Sequence, residues 1–154
     1  MPGPTKAREL TQDVIDSDYE VLSFTRNSEH HDMLGAAEVW HPGFNKIFLN
    51  MLETAGIPRP WKVKTPIYQN AFSAKTTIYR DYINIYLIPA MSVLSSSLKD
   101  SAMSDSHYSK LVRDVAPEYL QSKLGVPWTP LAPFLLERLF SVYVQNKGIK
   151  VTQL

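Results

Sequence analysis

Hydrophobic residues recur at helical intervals in two long stretches of the chain. In residues 43–55 the apolar side chains lie three or four positions apart, and Gly56 predicts the end of this helix. Residues 75–98 continue the same period over a longer span. Pro89 lies inside this second stretch and has no backbone N–H to donate, so we expect a kink in the helix there.

Two further helices are predicted nearer the C-terminus. Pro117 fits the first turn of a short helix, which Gly125 closes. The other helix runs from about residue 129 to residue 147 and ends at Gly148. Its apolar residues leave almost no polar face, and a helix that is apolar all round is a buried helix.

Strand-forming residues predict a small sheet. Residues 19–24 and 67–72 combine alternation with residues that favour strands, and residues 149–154 provide a last strand. The polar residues 25–35 are interpreted as a loop that follows the first strand. The residues before the first strand, 1–18, are expected to form a flexible N-terminal segment.

Together these patterns predict a helix-dominated α+β fold. We expect about five helices packed on a small sheet of two to three short strands, in a single globular domain over residues 19–154. A chain of 154 residues with 44% hydrophobic and 20% charged residues has the composition of one ordinary domain.

Charge and cysteine content narrow the possible functions. Sixteen basic and fifteen acidic residues leave a formal charge of +1, so we expect no nucleic-acid partner. The absence of cysteine excludes disulfides, thiol nucleophiles and thiolate metal sites, and is compatible with the cytoplasm. The longest apolar stretch, residues 82–94, is too short and too polar to predict a membrane span.

Several common catalytic and binding motifs are absent from the sequence. No glycine-rich phosphate loop and no Gly-x-Ser-x-Gly motif occur. The ligand types in Glu29-His30-His31-Asp32 and His41 lack a recognised metal spacing, so we interpret them as a polar loop and predict no metal site. Asp16-Ser17-Asp18 does not follow a strongly apolar strand, and is interpreted as a turn.

Glu137 and Arg138 are charged residues within the apolar part of the C-terminal helix. A carboxylate held in apolar surroundings must be paired or neutralised, and such a carboxylate is a candidate general base. Successive helical residues point about 100° apart, so we expect each of the two side chains to have a partner elsewhere. The alternative is an exposed corner of the helix that carries a solvated ion pair.

The stretch Trp40-His41-Pro42-Gly43-Phe44 is an aromatic, turn-forming entry to a helix. A free helix N-terminus at this point is able to bind an anion or a hydroxyl-rich ligand. Tyr68 is able to stack on the face of a sugar ring. The alternative for these aromatic residues is that they fill the core.

Three stretches together resemble a group of bacterial, polysaccharide-associated glycosyltransferases of the GT-A type. They are His41-Pro42-Gly43-Phe44, residues 68–82 with Tyr68-Gln69-Asn70-Ala71-Phe72, and Pro133-Phe134-Leu135-Leu136-Glu137-Arg138-Leu139-Phe140-Ser141. The last stretch resembles the "ERL-F/L-S" helix near the C-terminus of that group. The resemblance covers residues 19–154, roughly the part that binds the acceptor.

This resemblance implies roles for particular residues. Glu137 would lie near the acceptor hydroxyl as a base or an acceptor-orienting group. Asn70 and His41 would line the same cleft. With them we assign Arg138, and the two aromatic residues Tyr68 and Trp40, to substrate binding.

The chain departs from the group in one respect. Similar enzymes have a complete nucleotide-binding half before these motifs, and this chain has no room for it. We therefore expect a fragment, the acceptor half of a split enzyme, or a relative that has lost catalysis. The implied ligands are a nucleotide sugar with Mn²⁺ or Mg²⁺ and a glycan acceptor, and a partner chain would supply the missing half. The alternative is a non-catalytic protein-interaction domain that docks a partner through aromatic helix faces.

Overall fold

The structure, a computed structural model, describes most but not all of the chain. The described residues are 19–24, 32–60, 62–63, 66–67, 71–107 and 116–153. The predicted flexible segment, residues 1–18, lies outside them, as do Tyr68 and Asn70.

Helices make up most of the described residues. In chain order they are α1 (Met33–Trp40), α2 (Phe44–Thr54), α3 (Thr76–Tyr82), α4 (Ile88–Ser95), α5 (Lys99–Ala102), α6 (Pro117–Leu124) and α7 (Ala132–Lys147). A π-helical turn, Ile83–Leu87, joins α3 to α4, and we call this continuous element the long helix. With three strands beside these helices, the predicted helix-dominated α+β fold is confirmed.

The three strands form one mixed sheet with β1 in the centre. They are β1 (Val21–Ser23), β2 (Phe72–Ala74) and β3 (Val151–Gln153), in the order β2-β1-β3. β1 pairs with β2 in antiparallel fashion and with β3 in parallel fashion. All three residues of β1 are buried, because it has a strand on each side and the core beneath it.

Helix α7 lies at the centre of the core, as its apolar pattern predicts. Its middle turns are buried, from Leu135 and then from Arg138 through Val144. Phe140 stacks on Phe72 of β2 at a ring-centroid distance of 3.8 Å. Tyr143 packs its ring edge-on against Tyr86 of the long helix at 5.1 Å. The sheet and the long helix are therefore both held by aromatic contacts with α7.

The long helix continues through Pro89, because a wider π-helical turn precedes this proline. Pro89 cannot donate a hydrogen bond, and its ring competes for space with the carbonyl four residues earlier. In the preceding turn the Ile88 N–H donates to the Ile83 carbonyl, five residues back, which is the π-helical pattern. The irregularity expected at Pro89 is thus a π turn that precedes it.

Two predicted elements differ from the structure. Residues 33–35, interpreted as part of a loop, begin α1, because the Asp32 carboxylate accepts a hydrogen bond from the Leu34 N–H and caps the helix. Gly35 permits this cap, since a Cβ there would lie 2.6 Å from Asp32 Oδ2. The second strand was predicted over residues 67–72 but occupies Phe72–Ala74.

Ile67 lies outside the sheet because a side chain of α7 takes its backbone hydrogen bonds. The Ile67 N–H donates to Ser141 Oγ at 2.8 Å, and the Ser141 hydroxyl donates to the Ile67 carbonyl at 3.3 Å. Both residues are buried, so each group would otherwise lack a partner. The Ser141 side chain therefore takes the place of a neighbouring strand for the backbone of Ile67.

We expect Ser141→Ala to lower the free energy of unfolding by about 1–3 kcal/mol, because the buried Ile67 N–H loses its acceptor. The measurement is urea denaturation followed by circular dichroism. The matched control is Ser95→Ala, which removes an exposed hydroxyl that bonds only to the Ser92 carbonyl one turn back. Equal midpoints for the two variants would show that the Ser141–Ile67 pair contributes no stability.

Candidate functional site

The structure brings part of the predicted site together. His41 lies in the turn between α1 and α2, and Glu137 and Arg138 lie on α7, close enough to influence the charge of His41. Trp40 ends α1 next to His41, but 47% of its surface is exposed. Tyr68 and Asn70 lie outside the described residues.

Glu137 and Arg138 form an ion pair with each other. Arg138 Nη1 donates to Glu137 Oε2 at 2.5 Å, and the two side chains are only 9% and 16% exposed. The expectation that each side chain also has a partner elsewhere in the chain stays a prediction. The Cα–Cβ bonds do point apart, but the arginine side chain is long enough to return to its neighbour. The pair is also not the solvated corner that the alternative supposed.

The Arg138 guanidinium also lies beside an aromatic ring of α2. Its Cζ atom is 5.8 Å from the centre of the Phe44 ring, a cation–π distance. Phe44 is fully buried, so this contact holds the Arg138 guanidinium against the core. Glu137 is thereby held by a side chain that is itself anchored.

His41 is a buried residue that joins three parts of the chain. Only 1% of its surface is exposed, and the centre of its ring lies 4.0 Å from the centre of the Phe134 ring of α7. Its Nδ1 lies 3.1 Å from the Ser106 carbonyl oxygen. Because a carbonyl oxygen only accepts, Nδ1 carries the proton and donates it. His41 presents almost no surface to a ligand in this arrangement.

Burial lowers the pKa of His41 below its ordinary value of about 6.5. The hydrogen bond to the Ser106 carbonyl acts in the opposite direction, the Arg138 charge lowers the pKa further, and the Glu137 charge raises it. The net direction is downward, so His41 is neutral at pH 7.

The N-terminus of α2 is occupied by a carboxylate of the chain itself. Glu38 of α1 accepts hydrogen bonds from the Gly43 N–H at 2.7 Å and from the Asn45 N–H at 2.8 Å. Gly43 has φ +87°, a backbone conformation that favours glycine, and this turn brings its N–H towards Glu38. The expectation of a free helix N-terminus for an anion is therefore wrong, since Glu38 fills that position.

A groove that is lined in part by α7 was not predicted from the sequence. It encloses about 440 Å³ between β2, the long helix and α7. Its lining residues are Phe72, Ala74, Thr76, Tyr79, Tyr82, Leu87 and Leu136. One indication of this groove was present in the sequence, because Phe72 and Tyr79 belong to the stretch of residues 68–82 that resembles the glycosyltransferases. Only the assembled sheet shows that they face each other.

Two absences hold for the described part of the chain. Within it, no three His, Asp or Glu side chains are grouped so as to hold a metal ion. Asp16 and Asp18 lie outside it. Also within it, no helix is long and apolar enough to cross a membrane.

We expect Glu38→Ala to lower the free energy of unfolding by about 1 kcal/mol, because two N–H groups at the start of α2 lose a charged acceptor. Thermal and urea unfolding measure the change. Glu53→Ala on the exposed side of α2 is the matched control and should change stability by less than about 0.5 kcal/mol. A loss of the same size in both variants would contradict the capping role.

We expect the free energy of unfolding to fall as the pH drops below about 6.5, and His41 to contribute to that slope. Between its lowered pKa in the folded protein and about 6.5, the unfolded chain binds a proton that the folded protein does not. The measurement is urea denaturation at several pH values from about 7.5 to about 5, the range in which histidine titrates. His41→Gln should flatten the slope, because this variant removes the titrating group. An unchanged slope in His41→Gln would contradict the assignment.

Comparison with protein-family models, with curated proteins and with solved structures finds no match to this chain. The resemblance to glycosyltransferases therefore rests on the three sequence stretches that suggested it. The geometry of Glu137, Arg138 and His41 is the structural basis on which a function can be proposed.

Proposed function

We propose that this chain is a glycosyltransferase-like domain that binds the acceptor in polysaccharide biosynthesis. The observation that carries the proposal is the Glu137 carboxylate, which lies on a largely buried helix with 16% of its side chain exposed. Its position in the stretch that resembles the "ERL-F/L-S" helix supports the same role. The transferred sugar would come from a nucleotide sugar and go to a hydroxyl of a glycan.

In this proposal Glu137 orients the acceptor hydroxyl and takes up its proton. The hydroxyl oxygen forms a bond to the anomeric carbon, the bond from that carbon to the diphosphate breaks, and the hydroxyl proton passes to the carboxylate. Arg138 acts as a positioning residue, because its ion pair fixes the glutamate side chain. A fixed carboxylate loses little conformational freedom when the acceptor binds.

Donor binding is assigned to a partner chain. The resemblance implies that the nucleotide-binding half, with the Mn²⁺ or Mg²⁺ that a nucleotide sugar would bring, precedes the stretches found in this chain. We therefore assign the cation and the diphosphate to a partner that supplies a nucleotide-binding half. A cytoplasmic location belongs to the same proposal.

We expect Glu137→Gln to lower the transfer rate by at least about 100-fold, since a general base contributes roughly that much. The assay follows a radiolabelled sugar from a nucleotide sugar to an oligosaccharide, with Mn²⁺ and with the protein encoded by the neighbouring reading frame. Glu53→Gln, on the exposed side of α2, is the matched control and should retain full activity. Full activity in Glu137→Gln would overturn the proposed role.

A second variant separates catalysis from folding. Glu137→Gln leaves the Arg138 charge in a mostly buried place without this carboxylate, which by itself lowers stability. The double variant Glu137→Gln/Arg138→Met removes both charges and keeps the side-chain length. If the double variant folds like the natural chain and is inactive, the loss of activity is not a loss of fold.

A non-catalytic interaction domain is the second candidate, and one observation favours it. The long helix exposes several large hydrophobic side chains, among them the aliphatic Ile85, Ile88 and Met91 by 47%, 55% and 51%. Exposed apolar residues on one element are typical of protein-binding surfaces. The transfer assay distinguishes the two candidates. An interaction domain would support no transfer, either as the natural chain or as Glu137→Gln, and both forms would bind the partner equally well.

A further inference from the structure

We infer that the groove between β2, the long helix and α7 binds an uncharged saccharide ring. As the acceptor subsite of a glycosyltransferase this inference rests on the proposed function, but saccharide binding itself does not. Three features carry it: the geometry of the aromatic walls, the absence of charge among the described lining residues, and the position of the groove on α7.

The aromatic walls of the groove form a rigid, angled pair. The Phe72 ring is fixed from behind by Phe140, at 3.8 Å between centroids and 8° between planes. Tyr79 stands beside it at 6.1 Å, tilted by 51°, and 45% of its surface is exposed. Tyr82 supports Tyr79 at 6.2 Å. Two fixed rings at an angle offer one face and one edge to a flat, partly apolar ligand.

The remaining lining residues are uncharged. Leu87 and Leu136 are aliphatic, and Thr76 and the tyrosines provide hydroxyl groups. No charged side chain is among the described residues that line the groove. A phosphate or a carboxylate would lose its hydration there without gaining a counter-ion. A pyranose ring combines apolar C–H faces with hydroxyl groups, and so matches both kinds of wall.

The size of the groove agrees with this ligand class. A volume of about 440 Å³ lies at the lower end of the range for small-molecule sites, which is about 300–1,000 Å³. The groove therefore suits one or two sugar rings. An apolar side chain of a peptide is the competing occupant, and it would leave the hydroxyl groups of the lining without partners.

The groove reaches α7 at Leu136, the residue before Glu137. Successive helical residues are about 1.5 Å apart along the axis and about 100° apart around it. A saccharide held against Phe72 and Tyr79 would thus contact α7 at Leu136, the residue that precedes Glu137.

Titration of the full chain with maltotriose, chitotriose and glucuronic acid, followed by ¹H–¹⁵N correlation spectra, tests this inference. We expect a neutral trisaccharide to shift the amide signals of Phe72, Thr76, Tyr79 and Leu136, and glucuronic acid to shift none of them. Tyr79→Ala should weaken trisaccharide binding about tenfold, because one stacking wall is lost. Tyr79→Phe should bind like the natural chain, since the ring remains.

The matched control is Tyr119→Ala on α6, whose side chain is 58% exposed and lies outside the groove lining. It should bind the trisaccharides unchanged. Either of two results would overturn the inference: no shifts in the groove with either neutral trisaccharide, or equal trisaccharide binding by Tyr79→Ala and the natural chain.

The same titration of Glu137→Gln separates this inference from the proposed function. Normal saccharide binding with lost transfer supports both. Saccharide binding by the natural chain without any transfer removes the proposed function and leaves the groove as a glycan-binding site. Transfer by the natural chain without binding in the groove overturns the inference alone.

Discussion

The burial of α7 is the constraint on which the rest of the structure depends. A helix that is buried along its middle turns must be covered on several sides, and each neighbouring element contacts a different side chain of it. β2 contacts Phe140, the segment at Ile67 contacts Ser141, and the long helix contacts Tyr143. The turn that holds His41 contacts Phe134. One helix thus sets the position of the sheet, the groove and the candidate site.

Polar groups within this core are few, and their partners explain their positions. Ser141 Oγ accepts a hydrogen bond from the Ile67 N–H, and the Tyr143 hydroxyl donates one to the Ile78 carbonyl at 3.1 Å. Arg138 and Glu137 pair with each other. Because a buried polar group without a partner is costly, these contacts select one arrangement of the neighbouring segments. Glu137 differs from the others in keeping part of its surface open, which is why it is the candidate for chemistry.

Hydrophobic periodicity predicted α2, the long helix and α7 well, because each buries one face or all of its surface. It missed α1, whose start depends on the Asp32 side chain capping a helix that follows a polar stretch. It also misplaced the second strand, since local preference does not reveal that Ser141, 74 residues away, takes the hydrogen bonds of Ile67. The Glu38 cap and the angled rings of the groove likewise depend on side-chain paths and on long-range packing, which residue spacing does not encode.

The parallel pairing of β1 with β3 has a consequence for how the chain folds. These strands stand at opposite ends of the described residues, and the Glu20 carboxylate bonds to the Lys150 N–H across 130 positions. Closing so large a loop is entropically expensive and contributes no local contacts on the way. Helix pairs close in sequence are able to form first, and the sheet is completed only when the chain after α7 arrives. On this reasoning we expect the pairing of β1 with β3 to form late in folding.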